Sequence, residues 1–172
     1  MPMTRRVWTV RLGWVVASAI VVAPTGCGAQ YYIGRIEQQP DRANAWFVHE
    51  LGKFPHDEQA TACLIDQLCR DQPGARYYAA ESLKQHLLYC NDALRVRALL
   101  QLTKVLDDSR FALVSFPIYG PLLPGGSHFT ETSVRIRALA TLASSTQKDF
   151  GFDQERWRTY IESRAATLSK DK

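Results

Sequence analysis

From Asp41 onward, apolar residues recur every three or four positions, the period of a helix that buries one face. Asp41 follows Pro40 as an N-cap, and Ala43, Trp46, Phe47, Leu51 and Phe54 keep helical spacing until Pro55 stops the run. Asp57 opens a second helix with Ala60, Leu64 and Leu68 on one side, and Pro73-Gly74 breaks the chain after it. A third helix carries Tyr78, Ala79, Leu83 and Leu87. Asn91 or Asp92 caps a fourth, with Leu94, Ala98, Leu99, Leu102, Val105 and Leu106. Helices resume with Val134, Ala138, Leu142 and Ala143, and Asp153 caps the last, striped by Trp157, Tyr160, Ile161, Ala165 and Leu168.

The stretch from Phe111 to His128 has a different texture. Three prolines and three glycines stand among large apolar residues between Val114 and His128, so no helix runs through it. Strand-like alternation is absent elsewhere, and the expected class is all-α with a Pro/Gly-rich insert at 111–130.

The first thirty residues carry an address rather than a fold. Arg5, Arg6 and Arg11 precede Leu12–Ala23, twelve residues without a charge, which suits a signal h-region and is short for a bilayer span. Pro24-Thr25-Gly26-Cys27 follows. Small residues before a cysteine at this place resemble the bacterial lipoprotein signal, in which the cysteine is diacylated and becomes the new N-terminus. Pro24 departs from that pattern, which has an aliphatic residue there. The resemblance implies a signal peptide over 1–26, lipidation at Cys27 and a tether over 27–40. An ordinary secretory signal cut near Ala29 and an uncleaved anchor are the competing readings.

That segment changes the charge picture. The whole chain has 21 Lys+Arg against 17 Asp+Glu, a net charge of +4. Three of the basic residues lie before Cys27 and none of the acidic ones do, so 18 face 17 afterwards and the net charge falls to +1. A near-neutral exported domain is a poor nucleic-acid binder. After Cys27 the cysteines are Cys63, Cys69 and Cys90; the first two cannot pair on one helix, and either can reach Cys90 or stay a buried thiol.

Comparison of the helices exposes a repeat. Arg76-x-x-Ala79-x-x-x-Leu83, Arg95-x-x-Ala98-x-x-x-Leu102 and Arg135-x-x-Ala138-x-x-x-Leu142 share one template, and the last two stand forty residues apart. Alanine lets helices approach closely, and the leucine four positions on fills the same face. With the junctions Leu64–Ala80 and Glu131–Ala138, this pattern resembles HEAT-repeat proteins over about Asp41 to Ala166. The resemblance implies a short α-solenoid of helical hairpins over 41–168, and a plain helical bundle is the competing architecture. The nineteen-residue step from Arg76 to Arg95 is shorter than a full unit, and the insert interrupts the array.

Candidate chemistry is sparse. His86 and Cys90 lie at i, i+4 without a third ligand at a metal-site spacing. Asp57/Glu58 and Asp107/Asp108 read as helix-end carboxylates in solvated turns, and Arg95, Arg97, Arg135 and Arg137 as a small basic ridge. No catalytic, cofactor-binding or metal-binding set is assigned, and the expectation is a non-enzymatic protein. The apolar residues of the insert, Phe116, Ile118, Tyr119, Leu122, Leu123 and Phe129, either fold back as a cap or offer a surface to a protein partner or the bilayer. The leading expectation is a membrane-tethered adaptor at the bacterial cell envelope. The alternative is a ligand-binding or enzymatic lipoprotein with a pocket under the insert, using His128 or Tyr119.

Overall fold

Side-chain caps open three of the described helices. The computed structural model describes residues 28–38, 45–117 and 127–168. Along the chain run α1 (Ala29–Gln38), α2 (Ala45–Leu51), α3 (Glu58–Gln67), α4 (Pro73–His86), α5 (Asp92–Val105), β1 (Phe111–Pro117), β2 (Ser127–Ser133), α6 (Val134–Thr146) and α7 (Gln154–Leu168). The Asp57 carboxylate accepts from the Gln59 and Ala60 amides at 2.8 and 2.9 Å, which starts α3. Asn91 accepts from the Leu94 amide at 2.9 Å and Asp153 from the Arg156 amide at 3.0 Å, as their sequence positions predict. Gln147 ends α6 in the left-handed conformation. Gly151, at φ +57°, turns the chain into α7 and offers its carbonyl to the Trp157 indole N–H at 2.9 Å.

The helices pack as two rows. α1, α3, α5 and α7 lie against one another in chain order, as do α2, α4 and α6, and the rows meet through α1–α2, α3–α4 and α5–α6. Packing between α4 and α6 is the most extensive among the helices. The repeated positions explain it: Ala79, Ala98, Ala138, Leu83, Leu102 and Leu142 are all fully buried. Alanines hold the backbones close and leucines fill the seam, giving one continuous core with Trp157 at its end. Thr141 adds a buried hydrogen bond from its hydroxyl to the Ala80 carbonyl at 2.8 Å, tying α6 to α4.

The template positions do not all occupy equivalent places. α4 and α6 belong to one row and α5 to the other. The short step from Arg76 to Arg95 therefore crosses between rows, and the two most similar segments, Arg95–Leu102 and Arg135–Leu142, face each other across the layers. Buried helices on either side of one core need the same small-then-large rhythm, so similarity of pattern does not identify equivalent units.

Two expectations require correction. The segment read as a tether holds a helix: α1 occupies Ala29–Gln38, with Ala29 and Ile36 buried in the core and Tyr32 and Ile33 packed against it. The fold is mostly helical, but the insert carries an antiparallel ribbon, with β1 paired to β2 from Phe111↔Ser133 to Pro117↔Ser127. The second strand runs through Glu131–Ser133, which the sequence pattern assigned to a helical junction. Asp41 and Ala43 lie outside the described residues, and Trp46 is half-exposed rather than in the core stripe.

Candidate functional site

The ribbon leaves the helical body at a charge cluster. Asp108, placed by sequence in a solvated turn, has a side chain only 4% exposed. It accepts from Arg76 at 2.6 Å, from Arg110 Nε at 2.8 Å and from the Arg110 amide at 3.1 Å. Burial alone raises its pKa, but the hydrogen bonds from Arg110 and Arg76 outweigh that effect and bring it from 3.8 down to about 2. Arg110 also reaches Asp71 at 2.6 Å, and its carbonyl accepts from the Val134 amide at 3.3 Å. One carboxylate thus joins the start of α4, the end of α5 and both ends of the ribbon.

At its base the ribbon turns Ala112 into the body beside α4 and leaves Phe111 and Leu113 more than 60% exposed. Alternation along a strand puts these two on one face. Of the predicted partner-binding residues, Phe116 pairs in register with His128 and Phe129 with Ser115. Ile118, Tyr119, Leu122 and Leu123 lie outside the described residues, as does the lipidation candidate Cys27. Phe111 and Leu113 were missed as surface residues because the pattern around them reads simply as apolar.

The remaining candidates have structural employment. His86 is fully buried, and its Nε2–H donates to the Gly52 carbonyl at 3.3 Å. Its Nδ1 lies 2.9 Å from the Thr61 hydroxyl, from which the neutral ring accepts. Burial pushes the imidazole pKa below its ordinary value. Both ring nitrogens are therefore engaged in tying α2, α3 and α4 together rather than turned towards Cys90. Gly52 is needed at that junction, since a Cβ there would meet Ser82 Oγ at 2.1 Å.

Cys63, Cys69 and Cys90 are free thiols. Burial, reinforced by Asp66 and Glu37, raises the Cys63 thiol to about 11, and burial also raises Cys90. Neither supplies a thiolate at neutral pH.

The four arginines read as a basic ridge each have a local partner. Arg95 pairs with Asp92 at 3.1 Å and donates to the Leu87 and Cys90 carbonyls that end α4. Arg97 pairs with Asp66 at 2.6 Å and Arg137 with Glu81 at 2.7 Å, while Arg135 lies over the Phe152 ring at 4.8 Å. Arginines that look like a field in the sequence are distributed as local clamps.

Two further features escaped the sequence reading. A cleft of about 480 Å³ opens between α5, α6 and α7, lined by Leu87, Val96, Leu99, Tyr160, Ile161 and Arg164. It sits at the ends of α5 and α6 remote from the ribbon, not beneath the insert. The second feature is an aromatic cluster on α1 and α2. Tyr32 packs against Tyr31 at 5.3 Å, Trp46 at 6.2 Å and Phe54 at 5.8 Å between ring centres. Arg35 lies over the Phe47 ring at 5.5 Å, and its Nε is covered without a hydrogen-bond partner. Tyr31 and Trp46 are 46% and 51% exposed.

Among the described residues no three His, Cys, Asp or Glu side chains gather in a metal-ligating group, and no helix is long and apolar enough to cross a membrane. No protein-family model, curated protein or solved structure matches the chain.

Proposed function

We propose that this chain is a membrane-tethered, HEAT-like helical scaffold that binds a protein partner at the bacterial cell envelope. The observation that carries the reading is the two-row packing, in which alternate helices rest on one another and the Ala/Leu template fills the seam. Alternating helices stacked in two layers are the arrangement of an α-solenoid. Such an array works as a surface rather than as a reaction vessel, and here the buried His86, Thr141 and Asp108 side chains tie one element to another.

The anchor reading gains support from the start of α1. A mature terminus at Cys27 leaves that helix whole, with the Gly28 carbonyl accepting from the Tyr31 amide at 3.0 Å. A cut after Ala29 removes that carbonyl and the first buried residue of the helix. The proposed partner surface starts from the ribbon face exposed at Phe111 and Leu113; the insert residues Phe116, Ile118, Tyr119, Leu122, Leu123 and Phe129 stay partner candidates on the strength of their sequence alone.

Site-specific photocrosslinking in native membranes tests the scaffold. A benzophenone side chain at Leu113 should give a discrete protein adduct that Phe111→Ser diminishes, whereas the same probe at Glu155 on α7 should not. Equal labelling from both sites, or none at Leu113, contradicts the proposal.

A further inference from the structure

We infer that the exposed aromatic face of α1 and α2 docks on the phospholipid bilayer, so that the domain lies on the membrane rather than hanging from it. The inference rests on acylation at Cys27, and α1 gives that anchor an unexpected consequence. Two residue steps separate Cys27 from Ala29, which at 3.3–3.6 Å each allow about 7 Å of reach. Ala29 is itself packed into the core, so the helical body cannot retreat from an acylated Cys27. Whatever face surrounds the start of α1 is held at the bilayer at very high effective concentration.

The chemistry of that face suits the headgroup boundary. Tyrosine and tryptophan present an apolar ring and a polar tip, and they concentrate where hydrocarbon meets water. Tyr31 and Trp46 are the exposed members of the cluster, while Tyr32, Phe47 and Phe54 back them from the core side. Their exposure is otherwise costly, since burying each ring in lipid removes apolar area from water. Arg35 adds a cation without a carboxylate partner among the described residues. Lipid phosphate supplies the anion that a guanidinium in this position lacks. Glu37, two positions on from Arg35, stands about 200° round α1 from it, and its charge helps raise the Cys63 thiol of α3. Acyl chains and an interfacial aromatic patch act as two signals, which together bind far more firmly than either alone.

Tryptophan emission reads the contact directly. After Cys27 the chain has two tryptophans, Trp46 and Trp157, and Trp157 is fully buried. The acylated protein from native membranes is reconstituted in phosphatidylethanolamine/phosphatidylglycerol vesicles containing lipid brominated at acyl carbons 6 and 7. In parallel, the Cys27→Ser chain starting at residue 27 is held on the same vesicles by an N-terminal histidine tag and a nickel-chelating lipid. Docking predicts a blue shift and about twofold quenching of Trp46 in both preparations. Trp46→Phe should abolish the quenchable component, and Arg35→Gln with Tyr31→Ser should reduce it without changing the circular dichroism.

Absence of bromine quenching in the nickel-tethered preparation overturns the docking surface, whatever the state of Cys27. A blue shift that grows with protein density but ignores bromine assigns the face to a second copy of the chain and also overturns it. If the native protein lacks lipid on Cys27 while the tethered chain is quenched, the anchor reading fails and the docking chemistry stands.

Discussion

Replacing Asp108 by asparagine should unravel the corner where the ribbon meets the helices. The carboxylate holds Arg76 and Arg110 together, and its side chain is almost wholly buried. Asparagine keeps the volume but removes the charge, leaving Arg76, whose side chain is only 18% exposed, without its counter-ion. Breaking a buried pair in this way costs about 3–5 kcal/mol when the stranded charge stays covered. Arg110 is 40% exposed and also reaches Asp71, so it escapes part of that penalty. About 2–4 kcal/mol is therefore expected at pH 7.

An independent route gives a similar size. A carboxyl whose pKa is about 2 when folded and 3.8 when free contributes about 2 kcal/mol at neutral pH. Because the folded value is the lower one, this stability is fully present well above pH 4. It is lost progressively as pH falls from about 4 through about 2, and is gone only below the folded value, where both states are protonated. Urea unfolding followed by circular dichroism at pH 7, 5, 4 and 3 measures both quantities. The parent chain should lose stability across the lowest interval, and Asp108→Asn should be weaker at pH 7 with a shallower loss below pH 4. A variant within 0.5 kcal/mol of the parent at pH 7, with an unchanged acid slope, refutes the cluster as a structural hub.

Other positions make separate predictions. Leu142→Ala or Leu102→Ala should cost about 2–5 kcal/mol in thermal or urea melts, since each empties a fully buried leucine site in the template seam. Gly52→Ala should cost about 1–3 kcal/mol because the new methyl collides with Ser82, and adding Ser82→Gly should recover most of the loss. His86 titrates below its free value, so its neutral form is favoured by folding and stability should fall as pH drops below about 6.5. In His86→Gln that part of the pH dependence should vanish, which the same unfolding series detects.

The legibility of the molecule in its sequence divides by the range of the interaction involved. Asp57, Asn91 and Asp153 were readable as caps because each bonds to amides two or three residues away. Ala79, Ala98 and Ala138 were readable as seam positions because helical periodicity is local. Asp108 was misread because Arg76 lies 32 residues earlier, and nothing near Asp107/Asp108 announces that partner. The ribbon was hidden for the same reason: prolines and glycines excluded a helix, but pairing Phe111 with Ser133 is a tertiary fact. α1 escaped because only Ala29 and Ile36 are buried on it, a single stripe two turns long, beside a segment that reads as a leader. Its Tyr31 and Tyr32 gained meaning only when Trp46 and Phe54 were placed next to Tyr32.

The proposed anchoring of the helical body to a membrane through its first mature residue is tested most directly by the intact mass of the protein extracted from native envelope membranes. The expected product is a mature chain beginning at Cys27 and carrying a thioether-linked diacylglycerol, with α1 complete. A product that starts after Ala29, or one that retains Cys27 without lipid, contradicts the anchoring.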